Sequence, residues 1–255
     1  MTIVQAIILG IVEGVTEFLP VSSTGHLILA SKLFGIAEDN FTKSFEIAIQ
    51  FGAILSVVVL YFKKIFSDKN LWKRVLTAFL PTAVIGFLLY GVIKNFLLSN
   101  SLIVVWSLFL GGIALILFEI WYKKQAVVVD HEISYKKSFA VGVVQALAVI
   151  PGVSRSGATI IGGLLMGISR KIIVEFSFLL AVPTMAMATF YDLYKSAGDF
   201  SLSQLHLLII GFVVSFIVAG ASIKWLLHFI KSHTFIAFGV YRIVVALLFW
   251  LLVIR

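Results

Sequence analysis

The sequence predicts an all-α integral membrane protein with six transmembrane helices plus two re-entrant helical hairpins, arranged as an inverted-topology repeat. Three observations support this fold class. Hydrophobic residues make up 61% of the 255-residue chain and charged residues only 13%, whereas soluble domains are roughly 45–50% apolar and about 25% charged. Six apolar runs are long enough to cross a bilayer, and two interrupted apolar segments resemble each other. We expect a single membrane domain over residues 1–255.

The six predicted spans are approximately 45–62, 76–95, 101–122, 172–194, 205–227 and 235–254, since a span needs about 20 apolar residues. The first apolar stretch, residues 3–19, has no basic leader and contains two glutamates, so we expect it to remain in the mature chain. The chain has no cysteine, which leaves no role for disulfides or thiol chemistry.

The two interrupted segments are residues 1–35 and 138–170. Polar and Pro/Gly-containing stretches break them at residues 19–26 (Leu-Pro-Val-Ser-Ser-Thr-Gly-His) and 150–157 (Ile-Pro-Gly-Val-Ser-Arg-Ser-Gly). A continuous helix does not place these residue types together. Each segment therefore predicts a helix–loop–helix hairpin that enters and leaves the membrane on one side. Irregular backbone at that depth needs surrounding protein or a water-filled cavity.

The two segments align at an offset of 132 residues. Glu13 falls on Gln145, Ser22 on Ser154, and the glycines at 10 and 25 fall on those at 142 and 157. Three spans follow each hairpin, so the second copy is inverted relative to the first. We therefore predict a first repeat over 1–130 and a second over 131–255. Inverted repeats with broken helices point to a binding site near the membrane midplane.

Basic residues orient this arrangement, because cytoplasmic loops carry an excess of Lys and Arg. One side carries twelve of them: Lys63, Lys64, Lys69, Lys73, Arg74, Lys123, Lys124, Lys136, Lys137, Arg170, Lys171 and Lys231. The other side carries five: Lys32, Lys43, Lys94, Lys195 and Arg255. The first side is predicted to be cytoplasmic. The net charge of +8 is thus explained by topology, and we expect no nucleic-acid partner.

The hairpin tips are predicted to bind phosphate. In each hairpin the second helix begins just after the polar loop, and helix N-termini bind anions. Arg155 adds a planar fork suited to phosphate oxygens. Hydroxyls and glycines complete two facing cradles: Ser22, Ser23, Thr24 and Gly25 at one tip, with Ser154, Ser156, Gly157 and Thr159 at or beside the other. The alternative is a packing kink built from small residues. Burial of an Arg in apolar surroundings, which costs several kcal/mol, favours a functional site.

Titratable residues accompany the first tip. Glu13 and Glu17 share one helix face, so they could hold a divalent cation or divide into a base and a protonated partner; alternatively they only pair with Arg155. His26 is a candidate acid, base or nucleophile. Elsewhere, Arg242 is expected to pair with a carboxylate or reach an interface. Of the other embedded carboxylates, Glu119 is expected at a membrane interface, and Glu46 is expected to be exposed.

The tip residues resemble a known family. Residues 13–26, Glu-Gly-Val-Thr-Glu-Phe-Leu-Pro-Val-Ser-Ser-Thr-Gly-His, and 151–159, Pro-Gly-Val-Ser-Arg-Ser-Gly-Ala-Thr, are similar to the two signatures of the bacterial undecaprenyl-diphosphate phosphatases, the bacitracin-resistance (BacA/UppP) family. The resemblance implies hydrolysis of a polyprenyl diphosphate lipid to the monophosphate, with Mg²⁺ or Ca²⁺ as cofactor. It also implies a bacterial plasma (inner) membrane location, a site open to the outer face, and recycling of the cell-wall lipid carrier.

The resemblance also suggests roles for the site residues. Ser23 is the preferred nucleophile, and His26 is the alternative nucleophile or the acid. Glu17 would act as base, and Glu13 would support it or hold the metal with it. Arg155 would hold the terminal phosphate. The choice between Ser23 and His26 stays open at this level.

A lipid-phosphate or anion transporter, or flippase, is the rival function, because inverted repeats and broken helices are transporter features. The combination of Ser23, His26, Glu13 and Glu17 beside the cradle favours an enzyme, since transport needs no nucleophile. A channel or a scaffold explains neither the buried Arg nor the paired tips. Besides lipid, a homodimer is a partner arrangement that the sequence leaves open.

Overall fold

The computed structural model describes residues 1–36, 40–92, 97, 100–125, 130, 132–195 and 204–254, without the side chains of residues 40, 192–195, 253 and 254. Lys94, Arg255 and the side chain of Lys195, which entered the topology prediction, lie outside the described part of the chain. The predicted end of the second span, residues 93–95, lies outside it as well.

Helices dominate the described residues, in agreement with the predicted all-α class. They are α1 (Ile3–Thr16), α2 (Ser23–Leu33), α3 (Asn40–Leu60), α4 (Phe62–Ser67), α5 (Lys69–Leu88), α6 (Tyr90–Val92), α7 (Ser101–Tyr122), α8 (Tyr135–Gln145), α9 (Arg155–Leu165), α10 (Arg170–Lys195), α11 (Leu205–Phe229) and α12 (Ile236–Phe249). A 3₁₀ turn, Ala146–Val149, extends α8, and a π-helical turn, Trp250–Ile254, extends α12.

Five helices are long and apolar enough to cross a membrane, namely α3, α5, α7, α10 and α11. Two shorter apolar helices, Ile3–Thr16 and Ile236–Leu252, accompany them. The sixth predicted span, 235–254, thus corresponds to a helix of the shorter class. Many large apolar side chains are exposed on the outer surface, which suits contact with lipid. The chain is therefore a multi-pass membrane protein.

Helix boundaries agree best with prediction where polar caps coincide with changes in hydropathy. Helix α7 occupies residues 101–122 as predicted, and the Asn100 side chain accepts a hydrogen bond from the Leu102 N–H. Helix α5 begins earlier than the predicted residue 76, because Asp68 caps it by accepting from the Leu71 N–H at 2.9 Å. The first turns of α5 carry basic residues, so a span predicted from apolar residues alone begins after them.

The helices of the two predicted repeats pack across each other. Helix α1 packs against α11, and its counterpart α8 packs against α5. Helix α3 packs against α10 and α11, and α7 packs against α12. Glycines permit close approach at both α1 and α8: a Cβ at Gly14 would lie 2.9 Å from the Ser215 carbonyl oxygen, and one at Gly142 would lie 1.9 Å from that of Ala78. Small residues serve this purpose between membrane helices.

Two embedded carboxylates differ from expectation. Glu119 was predicted at an interface, but its side chain is fully buried and pairs with Arg170 through two hydrogen bonds of 2.6 and 3.0 Å. It also accepts from the Phe235 N–H at 3.1 Å, so it joins the ends of α7, α10 and α12. Glu46 is half-buried and accepts a hydrogen bond from the Ser31 hydroxyl. Both predictions were wrong because tertiary partners, which span position does not reveal, satisfy these groups.

Candidate active site between two strained loops

Two loops that each end in a serine with positive φ form the centre of the site. The first loop (residues 17–22) joins α1 to α2, and the second loop (residues 150–154) leads into α9. Ser22 has φ 73° and Ser154 has φ 78°, and among the described residues these are the non-glycine residues with positive φ. Each caps its helix, accepting from the N–H of Gly25 at 3.3 Å or Gly157 at 3.1 Å. Such strain is costly and is concentrated at functional sites.

The first loop contacts the first turn of α9 directly, as the tip prediction expected. The Ser156 hydroxyl donates to the Leu19 carbonyl at 2.7 Å and lies 3.1 Å from the Ser154 hydroxyl. A Cβ at Gly157 would lie 3.6 Å from the Pro20 Cβ. The two helix N-termini thus meet, with their unpaired N–H groups and positive dipole ends close together.

An ion pair and a serine connect the two loops. The Arg155 Nη2 donates to one Glu17 oxygen at 3.1 Å, with both side chains less than a tenth exposed. The other Glu17 oxygen accepts a hydrogen bond from the Ser23 hydroxyl. Arg155 also donates through Nη1 to the Ser177 carbonyl at 2.8 Å, while its buried Nε has no acceptor among the described residues. A hydroxyl, a base and a cation therefore adjoin each other.

Glu13 lies beside this group with unsatisfied oxygens. Its side chain is fully buried, and within the described residues neither carboxylate oxygen accepts a hydrogen bond. An unpaired buried carboxylate is costly, so the position suits a bound proton or cation. The described residues contain no cluster of three or more metal-binding side chains. A pair such as Glu13 and Glu17 nevertheless fits Mg²⁺, which binds one or two carboxylates together with substrate phosphates.

Both ring nitrogens of His26 are engaged. Nδ1 lies 2.8 Å from the Ser22 carbonyl oxygen, and Nε2 lies 3.0 Å from the Tyr241 hydroxyl. A carbonyl can only accept, so Nδ1 carries the proton, and Nε2 of the neutral ring accepts from Tyr241. The two rings stack with centroids 5.5 Å apart and planes 3° apart. His26 therefore holds the strained Ser22 carbonyl on one side and α12 on the other.

The remaining predicted residues occupy different environments. The Thr159 hydroxyl is buried and bonded to the carbonyls of Arg155 and Ser156 and, at 2.6 Å, to the Ser177 hydroxyl. It thus supports the first turn of α9 from within the protein. Thr24 is half-buried, and its hydroxyl forms no hydrogen bond within the described residues, which leaves it available to a ligand.

Sequence reasoning missed three contributors to this site: Ser177, Tyr241 and Arg242. The prediction that Arg242 pairs with a carboxylate or reaches an interface was wrong. Within the described residues its buried guanidinium bonds to backbone carbonyls alone, and three of these lie on the two loops. A lone Arg within an apolar run was the available signal. Nothing in the sequence pattern distinguished Tyr241 or Ser177 from neighbouring residues.

The chain is similar to a family of known proteins over nearly its whole length. The family model described as "Bacitracin resistance protein BacA" matches residues 6–248. Curated relatives named undecaprenyl-diphosphatase include proteins from Sulfurihydrogenibium sp. (57% identical, covering 98% of this chain and 99% of the relative), Aquifex aeolicus (56%; 98% and 98%) and Persephonella marina (51%; 99% and 100%). The chain therefore belongs to the bacitracin resistance protein BacA family.

Proposed function

We propose that this protein hydrolyses undecaprenyl diphosphate to undecaprenyl phosphate and inorganic phosphate, at the site between the two loops. One observation carries the chemistry: the Ser23 hydroxyl donates to Glu17, which also pairs with Arg155. Nucleophile, base and phosphate-binding cation are thus joined through one carboxylate. The substrate comes from the printed names of relatives that are about half or more identical over nearly the full chain. The reaction returns the lipid carrier to cell-wall synthesis and accounts for bacitracin resistance.

The terminal phosphate binds between the helix N-termini. The first turns of α2 and α9 present N–H groups without intrahelical acceptors, and Arg155 retains donors beyond those used by Glu17 and Ser177. These groups match the oxygens of a phosphoryl group and stabilise charge that develops on them. The isoprenoid tail stays among the exposed apolar side chains in lipid.

Ser23 is the nucleophile in this mechanism. Glu17 accepts the proton of the Ser23 Oγ, which attacks the terminal phosphorus. The bond from that phosphorus to the bridging oxygen breaks, and the lipid monophosphate leaves with the electron pair. Water then attacks the phosphorus of the phosphoserine and loses a proton to a carboxylate. The bond from that phosphorus to the Ser23 Oγ breaks, Oγ takes back the proton held by Glu17, and inorganic phosphate leaves. His26 is less suited to attack, because Nδ1 carries a proton and Nε2 is occupied by Tyr241.

The carboxylates Glu13 and Glu17 would hold Mg²⁺ or Ca²⁺ together with oxygens of the substrate. When bound, the ion supplies positive charge that offsets the negative charge on the phosphate oxygens. The orphaned oxygens of Glu13 support this assignment.

The membrane arrangement we propose has six spans (α3, α5, α7, α10, α11 and α12) and two re-entrant hairpins, α1–α2 and α8–α9, in repeats 1–130 and 131–255. The exchanged packing of α1 on α11 and of α8 on α5 supports it, as do the matching Ser22 and Ser154 conformations. The basic-residue excess supports an orientation in which the site faces the outer side of the plasma membrane. Single cysteines in the cysteine-free chain at Gly35 and Lys124 test the orientation. Only the former should react with an impermeant thiol reagent in intact cells.

Phosphate release from undecaprenyl diphosphate by purified protein in detergent, with Mg²⁺ and with chelator, tests the function. Ser23→Ala and Arg155→Ala should lose activity, whereas Ser222→Ala is the matched control, because the Ser222 hydroxyl bonds to the carbonyl of Val218 on its own helix. Trapped phosphoenzyme should be acid-stable and alkali-labile, as phosphoserine is; an acid-labile adduct would identify His26 instead. If folded wild type releases no phosphate, lipid-phosphate transport by the same cradle becomes the better explanation.

A further inference from the structure

Arg242 lies in the middle of the apolar helix α12, and its side chain is only 2% exposed. Its guanidinium donates to five backbone carbonyl oxygens. Nε bonds to Leu108 at 3.3 Å, Nη1 to Pro20 at 3.2 Å and Val153 at 3.0 Å, and Nη2 to Ser107 at 2.9 Å and Gly152 at 2.8 Å. A buried cation surrounded by carbonyl dipoles is well compensated without a carboxylate.

The five hydrogen bonds of Arg242 limit the ligands that its guanidinium can bind. A guanidinium has five N–H donors, and five acceptors engage them here. No donor remains for a substrate oxygen, in contrast to Arg155, whose Nε finds no acceptor in the described part of the chain. Arg242 is therefore unsuited to binding phosphate itself, although it lies next to the site.

The acceptors connect the two loops to a third element. Pro20 belongs to the first loop, Gly152 and Val153 belong to the second, and Ser107 and Leu108 lie in α7. Pro20 lies two residues before Ser22, and Gly152 lies two residues before Ser154. Arg242 therefore bonds to both loops just before the serine with positive φ. Arg242 also keeps three loop carbonyl oxygens directed at its own guanidinium. Carbonyl oxygens directed at a bound diphosphate would instead repel the diphosphate.

We propose that Arg242 is a positioning residue that sets the spacing and orientation of the two phosphate-binding loops. This inference rests on the proposed function only in taking the loops as the phosphate site. This role requires that the Arg242 guanidinium stay in its observed position. The missing side chain of Gly111 leaves the space that the guanidinium occupies. A Cβ at Gly111 would lie 2.0 Å from the Arg242 Nη2 and 2.8 Å from its Cζ.

Two variants disturb Arg242 in different ways. Arg242→Lys keeps the charge and loses the fork that reaches both loops. Gly111→Ala keeps the arginine and pushes its guanidinium away from the carbonyls. Gly86→Ala is the matched control, because a Cβ there meets nothing within 4 Å. Folding of each variant is checked by tryptophan fluorescence and by elution as a single species.

A disulfide reports loop spacing without any need for catalysis. The chain has no cysteine, and the double variant Pro20→Cys/Gly157→Cys places Cβ atoms 3.6 Å apart across the loops, within the range of about 3.5–4.5 Å that disulfides use. Mild oxidation should cross-link this pair quickly. Adding Arg242→Lys or Gly111→Ala should slow cross-linking roughly tenfold, since misplacement lowers the effective concentration of the two thiols, whereas Gly86→Ala should leave the rate unchanged.

Kinetics separate positioning from general stability. Without the added cysteines, Arg242→Lys and Gly111→Ala should lower kcat by up to roughly a hundredfold, as misplaced catalytic groups do, with a much smaller change in KM. Unchanged cross-linking in both folded variants would overturn the proposal even if the protein proved not to be a phosphatase. Failure of both variants to fold would show that Arg242 serves the whole fold, which also contradicts a local positioning role.

Discussion

Arg155 and Glu17 lie 3.1 Å apart, although 138 residues separate them in the chain. The pair exists because two loops at equivalent positions of the sequence repeat face each other. Glu17 is shared between Arg155 and the Ser23 hydroxyl, so the carboxylate cannot move toward one without affecting the other. Arg155 thereby keeps Glu17 in place and directed at the serine. The same contact leaves part of the guanidinium free for phosphate.

Arg155→Lys should nearly abolish phosphate release. Lysine keeps the charge but cannot reach Glu17, the Ser177 carbonyl and a phosphate oxygen together, because it lacks the planar fork. We expect kcat to fall by about 10²–10³, the usual effect of losing a charge-stabilising donor. The matched control is Arg74→Lys, whose partner Glu132 is largely exposed and whose loss should matter little. Wild-type activity in Arg155→Lys would show that the arginine is purely structural.

Tyr241→Phe tests whether the histidine needs its outer partner. The variant keeps the stacked ring and loses the hydroxyl that bonds to His26 Nε2. A neutral hydrogen bond contributes about 1 kcal/mol, so kcat should fall roughly fivefold while the thermal midpoint changes little. The half-exposed Tyr135 provides the control Tyr135→Phe. An acceleration in Tyr241→Phe would mean that freeing Nε2 aids catalysis and would restore His26 as a candidate nucleophile.

How far the sequence predicts the site depends on whether a residue lies in a recognisable pattern. Ser22, Ser23, Arg155 and Glu17 belong to repeated or polar stretches inside apolar segments, and the structure brings them together. Tyr241 and Arg242 lie in an otherwise ordinary apolar helix, and only the three-dimensional packing of α12 brings them to the loops. Likewise, Glu119 is buried through partners on two distant helices, which local hydropathy cannot reveal.

Removing the Glu13 carboxylate should change the metal requirement. Glu13→Gln keeps the size of the side chain but removes the charge that would hold Mg²⁺ with Glu17. We expect at least roughly a tenfold rise in the Mg²⁺ concentration that gives half-maximal phosphate release, which corresponds to about 1.4 kcal/mol of lost binding free energy. Activity is measured across a Mg²⁺ titration after chelator treatment. An unchanged Mg²⁺ dependence with lower kcat would assign the metal to the substrate alone and leave Glu13 as a proton carrier.

Glu119→Gln should destabilise the protein without disabling its chemistry. The buried carboxylate holds Arg170 by two hydrogen bonds and caps the Phe235 N–H, and Arg170 also lies 4.8 Å from the Phe235 ring centroid. Breaking a buried pair leaves an uncompensated charge, so the free energy of unfolding should fall by about 3–5 kcal/mol. Lys64→Ala is the control, since the Lys64–Glu175 pair is partly exposed and worth at most about 1 kcal/mol.

Denaturant titration followed by tryptophan fluorescence measures both variants, and phosphate release is normalised to folded protein. None of the hydrogen bonds of Glu119 involves the two loops, so the specific activity of folded Glu119→Gln should match wild type. If activity falls while stability is kept, the Glu119–Arg170 pair, which joins α7, α10 and α12, must act on the site through Arg242, which lies in α12 and bonds to two carbonyls of α7. If activity and stability both stay unchanged, Arg170 has found another partner, and the Glu119–Arg170 pair contributes nothing measurable to either.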